Sequence, residues 1–280
     1  MLSKKGSQYV GLAVSAVLLG ASVAKADIRD TIQNAAYGTT VQCSGTYSVS
    51  ARITVPSGVT VKGPATFVFS TGASADGFYV PSGNHNVTLQ SLTVQGANHG
   101  IMIYGYSCTI NSCISQYNQN SGIEIIGSAS KNNVIKYCQG KYNCDNAGGG
   151  GNADGFAAKN GTSTGNQFSN CDAHGNSDDG WDFYSASYPI VVSASSSYAN
   201  GYYNGYRGNG CGFKMGGSGY AASHSYTSCT AYSNTAGNTG SGFDSNNNGA
   251  RLYLTTCKSY SNKQKDRLVN CSLTNCTMQQ

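Results

Sequence analysis

Six short segments of this chain repeat one pattern, a glycine followed by alternating apolar and variable residues. They are Gly100-Ile101-Met102-Ile103, Gly122-Ile123-Glu124-Ile125, Gly155-Phe156-Ala157-Ala158, Gly180-Trp181-Asp182-Phe183, Gly212-Phe213-Lys214-Met215 and Gly242-Phe243-Asp244-Ser245. A second repeat runs between them, a cysteine followed five positions later by asparagine, at Cys113 and Asn118, Cys138 and Asn143, Cys171 and Asn176, Cys229 and Asn234, and Cys257 and Asn262. Thr93 with Asn98 and Ser195 with Asn200 fill the remaining registers. Intervals of 22 to 33 residues are too irregular for a propeller or leucine-rich array and suit a solenoid with variable loops. Small inward residues stacked coil on coil, with an asparagine at each turn, are what a right-handed parallel β-helix requires. Its tight turns favour left-handed backbone geometry, which asparagine tolerates, and stacked amides bond to one another along the axis.

Composition points the same way. Only 10% of residues are charged, and 37 glycines and 20 tyrosines leave little room for long amphipathic helices. The expected fold is all-β, a single-stranded right-handed parallel β-helix with a short N-terminal capping helix, predicted over 28–36 from its apolar spacing. Segments 53–55, 59–61 and 67–69 alternate as strands. Ahead of this, Lys4 and Lys5 precede an apolar run from Val10 to Val23 and the small-x-small site Ala24-Lys25-Ala26. Residues 1–26 therefore read as a signal peptide, the run being shorter than the ~20 residues that span a bilayer. A secreted β-helix domain over 27–280 follows, expected to be a monomer with no membrane partner.

Losing Lys4, Lys5 and Lys25 leaves 14 basic against 12 acidic side chains, with no dense basic stripe for a nucleic-acid backbone. The eleven cysteines divide in two: five serve as small inward hydrophobes, while Cys43, Cys108, Cys144, Cys211, Cys271 and Cys276 remain candidates for bridges in undetermined pairing. No CxxC pair or histidine cluster suggests zinc.

In this weakly charged chain, Ser177-Asp178-Asp179-Gly180-Trp181-Asp182 concentrates three carboxylates. Strand alternation turns Met102, Glu124, Ala157, Asp182, Lys214 and Asp244 outward in one column, with coils ~4.8 Å apart. Asp154 and Asp179 then fall side by side at the strand entry, with Asp178 adjoining. Four carboxylates this close repel one another unless a cation sits between them. Calcium fits best, since it takes six to eight oxygens with tolerant geometry. The alternative is a solvated acidic ridge or a set of turn-forming aspartates, which leaves the outward Asp182 unexplained. Lys214 is either a surface ion-pair partner or a base whose charged form the neighbouring cation disfavours.

At these residues the chain resembles the family-nine polysaccharide lyases, the pectate lyases and exopolygalacturonate lyases that fold as parallel β-helices. The resemblance rests on Ala153-Asp154-Gly155-Phe156, the Ser177–Asp182 block, Gly212-Phe213-Lys214-Met215-Gly216-Gly217 and Gly242-Phe243-Asp244-Ser245-Asn246-Asn247-Asn248, and covers roughly residues 85–262. It implies that Asp154, Asp178, Asp179 and Asp182 bind catalytic calcium and that Lys214 is the base in β-elimination on polygalacturonate. In that reaction calcium acidifies the C5 proton and the C4 oxygen departs. Arg207, in the loop Tyr202-Tyr203-Asn204-Gly205-Tyr206-Arg207, and Asp244 are candidate substrate contacts.

Two rivals remain. A polygalacturonase-type hydrolase also carries an Asp pair on a β-helix, and His174-Gly175 precedes the pair here, but the chain lacks an Arg-x-Lys substrate motif. A non-catalytic, calcium-stabilised adhesin or carbohydrate-binding solenoid has no need of Lys214. Another uronate polymer, such as alginate, is a third substrate choice within the lyase reading.

Overall fold

The computed structural model describes residues 27–217 and 219–280; the expected signal peptide lies outside them. Parallel strands of two to ten residues wind into a β-helix. One face is an eight-stranded sheet that runs from Ile53–Thr54 through Phe78–Val80, Ile101–Ile103, Ile123–Ile126, Phe156–Lys159, Trp181–Asp182 and Phe213–Lys214 to Phe243–Asp244. Its register aligns the glycine motifs as expected. Ile101, Ile123, Phe156, Trp181, Phe213 and Phe243 pair in series on the inside, and Met102, Glu124, Ala157, Asp182, Lys214 and Asp244 form the outer row.

The motif glycines are required by close approach between coils. A Cβ on Gly180 would stand 2.6 Å from the carbonyl oxygen of Gly212, and one on Gly155 2.6 Å from Ala173 Cβ. Beneath the sheet, Phe156, Trp181, Phe213 and Phe243 stack ring on ring with centroids 4.8, 4.6 and 4.8 Å apart. Stacked aromatics at this spacing bury large apolar faces and fix the register of the residue that follows each ring. That residue is Ala157, Asp182, Lys214 or Asp244.

The other faces join in a 17-stranded parallel sheet. Its corners show where the expected role of asparagine has to be corrected. The left-handed residues are Tyr117, Tyr142, Gly175, Ala199, Ser233 and Ser261, each one position before the asparagine. The asparagines themselves turn inward and form a buried ladder, Nδ2 to Oδ1, at 2.9 Å from Asn118 to Asn143, 2.9 Å from Asn143 to Asn176 and 2.9 Å from Asn176 to Asn200. It continues at 3.1 Å to Asn234 and 3.0 Å to Asn262. Buried amides must find partners, and an amide in the neighbouring coil supplies one at the coil repeat. At the N-terminal end the register is shifted by one from the expected Thr93 and Asn98. Leu92 and Ala97 are the buried equivalents, and the Ala97 N–H donates to Asn118 Oδ1.

Cys113, Cys138, Cys171, Cys229 and Cys257 point into the core as expected. All eleven cysteines are free thiols, so none of the candidate bridges is formed. The helix Ile28–Gln33 buries Ile32 over the first coil, and Gln33 Oε1 accepts from the Thr54 N–H at 2.9 Å. At the other end Gln279 continues the amide ladder. Its Oε1 accepts from the Asn262 N–H at 2.7 Å, while Asp266 accepts from the Phe243 N–H at 2.8 Å. Both contacts satisfy backbone donors that a further coil would otherwise take.

Candidate functional site

The aspartates are not a solvated ridge. Asp154 and Asp179 are 0% exposed, Asp178 1% and Asp182 4%, although Asp182 stands in the outer row of the sheet. The loop that carries Tyr202 to Arg207 continues against Asp178 and Asp179, and its Gly208 lies so close to Asp178 that a Cβ there would collide with the carboxylate. The Asn209 N–H donates to Asp178 Oδ1 and the Cys211 N–H to Asp179 Oδ1, both at 2.6 Å. The Asp179 N–H in turn donates to Asp154 Oδ1 at 3.2 Å. Backbone donors thus hold one oxygen of each carboxylate and aim the other.

One oxygen each from Asp154, Asp178 and Asp179 lies within 4.8 Å of the others. Oxygens ~2.3 to 2.6 Å from a shared calcium stand at most about 5 Å apart, so the triad fits one ion. Asp178 Oδ2 is buried and, among the described residues, has no hydrogen-bond partner, so an ionised Asp178 is costly unless a cation shares the site. An all-oxygen donor set selects a hard cation over zinc or copper. Asp182 is not one of the three. Its Oδ1 accepts from the Tyr184 N–H at 2.9 Å, and its Oδ2 lies 3.3 Å from Lys214 Nζ and 3.1 Å from Lys159 Nζ.

Lys159 is the residue that sequence reasoning missed. Its Nζ is 2.7 Å from Asp154 Oδ2 and bridges Asp154 to Asp182. The signal was present: Phe156 and Ala158 point in, so the alternation turns Lys159 outward just as it does Ala157. Replacing Lys159 by methionine is expected to strip Asp154 and Asp182 of a buried counter-charge. The metal-free protein should lose on the order of 3 to 5 kcal/mol, read as a lowered melting temperature that calcium partly restores. Unchanged melts would mean that these ion pairs do not form.

The charge states divide the four aspartates. Burial pushes Asp178 well above the usual carboxylate range. Burial, reinforced by the neighbouring carboxylates, also raises Asp154 to about 7 and Asp179 to about 6 despite Lys159 and Lys214. Burial acts on Asp182 too, yet the two ammonium groups outweigh it and hold Asp182 low. Burial disfavours the Lys214 ammonium, but Asp179 and Asp182 dominate and raise it, the reverse of the lowering expected beside a cation. The difference is physical: without a cation the carboxylates are unneutralised, and Lys214, with Nζ 3.2 Å from Asp179 Oδ2, serves as their counter-ion.

Of the two candidate substrate contacts, Arg207 is exposed and lies over the Tyr202 ring at 5.4 Å, outside the aspartate cluster. Asp244 occupies the expected place beside Lys214 in the row, but its carboxylate faces Arg267 Nε at 3.5 Å and accepts from the Asn246 N–H at 2.9 Å. His174 stacks on Tyr198 at 4.6 Å in a strand of the other sheet.

A second cluster stands on the site-bearing sheet toward the N-terminus. His99 Nδ1 is 2.8 Å from Asp76 Oδ1, and its Nε2 is 3.4 Å from Glu124 Oε2. Burial alone would lower His99, but the two carboxylates raise it from 6.5 to about 9. A raised histidine stabilises fully below its unfolded value and loses that contribution as pH climbs through the folded one. The melting temperature is therefore expected to fall between about pH 7 and pH 10, with His99→Gln flattening the curve. Parallel curves for both proteins would show that the cluster contributes nothing.

A family model described as Pel9A-like, right handed beta helix region, matches residues 9–275. Pectate lyase L of Dickeya dadantii (strain 3937) is 34% identical over 190 residues, covering 66% of this chain and 43% of its own length. Pectate lyase L of Paenibacillus polymyxa (strain SC2) is 34% identical over 200 residues, covering 64% of this chain and 42% of its own. The crystal structure of pectate lyase Pel9A superposes with a TM-score of 0.76 at 26% identity, over 88% of this chain and 71% of that one. The chain thus spans less than half the length of these curated relatives. With its coils in the register of a parallel β-helix and a family match over nearly its whole length, the chain belongs to the Pel9A-like right-handed β-helix family.

Proposed function

We propose that the protein is a calcium-dependent pectate lyase that cleaves polygalacturonate by β-elimination, and that it is exported with residues 1–26 removed. The observation that carries the reading is an orphaned, buried Asp178 oxygen beside carboxylates that hold the Lys214 amine of the adjoining coil. Similarity to the pectate lyases named above supports it. Asp154, Asp178 and Asp179 would hold the ion, with Asp182 beside them as a further carboxylate held by Lys159 and Lys214. Bound there, calcium supplies a Lewis acid that acidifies the C5 proton of a galacturonate unit.

Lys214 Nζ accepts that proton, and it does so only in its neutral form. In the metal-free charge state Asp179 and Asp182 hold it as the ammonium. The base therefore becomes competent only when those carboxylates have another positive partner, which ties cleavage to cation binding. Lys159 keeps Asp154 and Asp182 apart and oriented while Lys214 changes charge. Stacked Trp181 and Phe213, one residue before Asp182 and Lys214, keep the two head groups in register.

The test is absorbance of the unsaturated product from polygalacturonate, with and without chelator. Calcium-dependent absorbance is expected. Cleavage that survives chelation without that absorbance would favour the hydrolase, and calcium binding with no cleavage of pectate or alginate would favour a binding solenoid.

A further inference from the structure

We infer that the cavity at the N-terminal end of the site-bearing sheet is a distal subsite for a uronate carboxylate of the same acidic polysaccharide chain that enters the aspartate site. The inference rests on the reading under Proposed function. The cavity is an open depression of about 490 Å³ lined by Arg29, Arg52, Thr54, Ser74, Asp76 and Asn98 among others.

Its position follows from the register. Thr54 pairs with Tyr79, Tyr79 with Met102, Met102 with Glu124, Glu124 with Ala157 and Ala157 with Asp182, so cavity and site share one outer row. Asp76 precedes the motif glycine Gly77 just as Asp154 precedes Gly155, which sets the cavity on the strand-entry side, where the aspartates also stand. Asp76 and Asp154 are three coils apart, roughly 14 Å at ~4.8 Å per coil. An extended polyanion lying along the helix axis over the aspartates continues directly into the cavity.

Its chemistry is cationic. Arg29 Nε donates to the Arg52 carbonyl at 3.0 Å, which brings the two guanidinium-bearing residues together. Arg29 also meets Asp30 at 3.5 Å, an exposed pair that solvent screens. Arg52 is held over the Tyr79 ring at 4.3 Å, and Tyr79 meets Tyr104 of the next coil edge to face at 5.7 Å. Among the described residues Asp76 is the one carboxylate in the lining, and it shares the His99 imidazole with Glu124. Two arginines, a carboxylate paired to a histidine and surrounding hydroxyls suit a planar carboxylate, and a tyrosine ring beside them suits a sugar backbone.

The experiment is steady-state cleavage of galacturonate oligomers from dimer to octamer, with calcium titrated separately into each protein. Arg52→Gln is expected to raise KM for the long oligomers about tenfold, the size of a lost charge-assisted hydrogen bond. The short oligomers and calcium affinity should be unchanged, and Arg52→Lys should recover part of the loss. Ser74→Glu, at the exposed end of the short 3-10 turn Gly72–Ser74, should impose the same length-dependent penalty by repulsion and serves as an independent variant should Arg52→Gln not fold. A length profile identical to wild type in Arg52→Gln, or in Ser74→Glu where that variant must stand in for it, would overturn the subsite. Wild-type protein that cleaves no oligomer of any length would instead overturn the lyase reading beneath it.

Discussion

Lys214→Ala is expected to reduce cleavage of polygalacturonate by about 10² to 10⁴-fold, the range a positioned general base contributes. The structure adds a second expectation. Lys214 Nζ lies 3.2 Å from Asp179 Oδ2 and 3.3 Å from Asp182 Oδ2, so in the metal-free protein it competes with any cation for those oxygens. Calcium affinity in the variant should therefore be kept or increased, and the metal-free protein should melt lower because two buried carboxylates have lost a counter-charge. Calcium titration by calorimetry, with product absorbance for cleavage, separates these readouts. A variant that cleaves at the wild-type rate would show that Lys214 is only an ion-pair partner.

Asp178→Asn should behave in the opposite way. Asp178 Oδ2 is buried without a partner among the described residues, and burial pushes this carboxyl well above its ordinary range. An ionised Asp178 therefore destabilises the metal-free fold as pH rises above the ordinary carboxylate value, and the isosteric amide removes that penalty. The metal-free variant is expected to melt at or above wild type near neutral pH. Calcium affinity should fall by roughly 100-fold, equivalent to about 2.7 kcal/mol, because a charged ligand has been lost. The substituted amide keeps an oxygen acceptor for the Asn209 N–H, so the adjoining loop stays in place. A variant that loses stability but not calcium affinity would assign Asp178 to the fold rather than to the ion. The pair of substitutions thus distinguishes the two halves of the site: one removes chemistry and leaves the ion, the other removes the ion and spares the fold.

The repeat of glycine, inward ring and outward residue was enough to determine the sheet, its register and the column Ala157, Asp182, Lys214, Asp244. A period-two pattern locked by a stacked core leaves no freedom to slip, because a one-residue shift would bury the charged row and expose the rings. For the same reason Asp154 and Asp179 could be placed side by side from the motif alone. Local periodicity does not extend to corners, so the left-handed residue was misplaced by one position, and the coil in which Leu92 stands in place of cysteine was misaligned. The cysteines were ambiguous because inward packing and bridging use the same residue type.

What only the tertiary structure decided is the electrostatic state of the site. The sequence places four carboxylates and Lys214 near one another, but their burial is set by the assembled coils, with the segment through Gly208 packed against Asp178 and Asp179 from the adjoining coil. That burial makes Asp178 an orphan, raises Asp154 and Asp179, and turns Lys214 into a counter-ion. The Lys159 bridge to Asp182 and the Asp76, His99 and Glu124 cluster likewise emerge only in the fold, since these partners lie one coil apart. Periodicity fixes which way a side chain points; how strongly its charge is felt depends on the water excluded around it, and that is a property of the assembled fold.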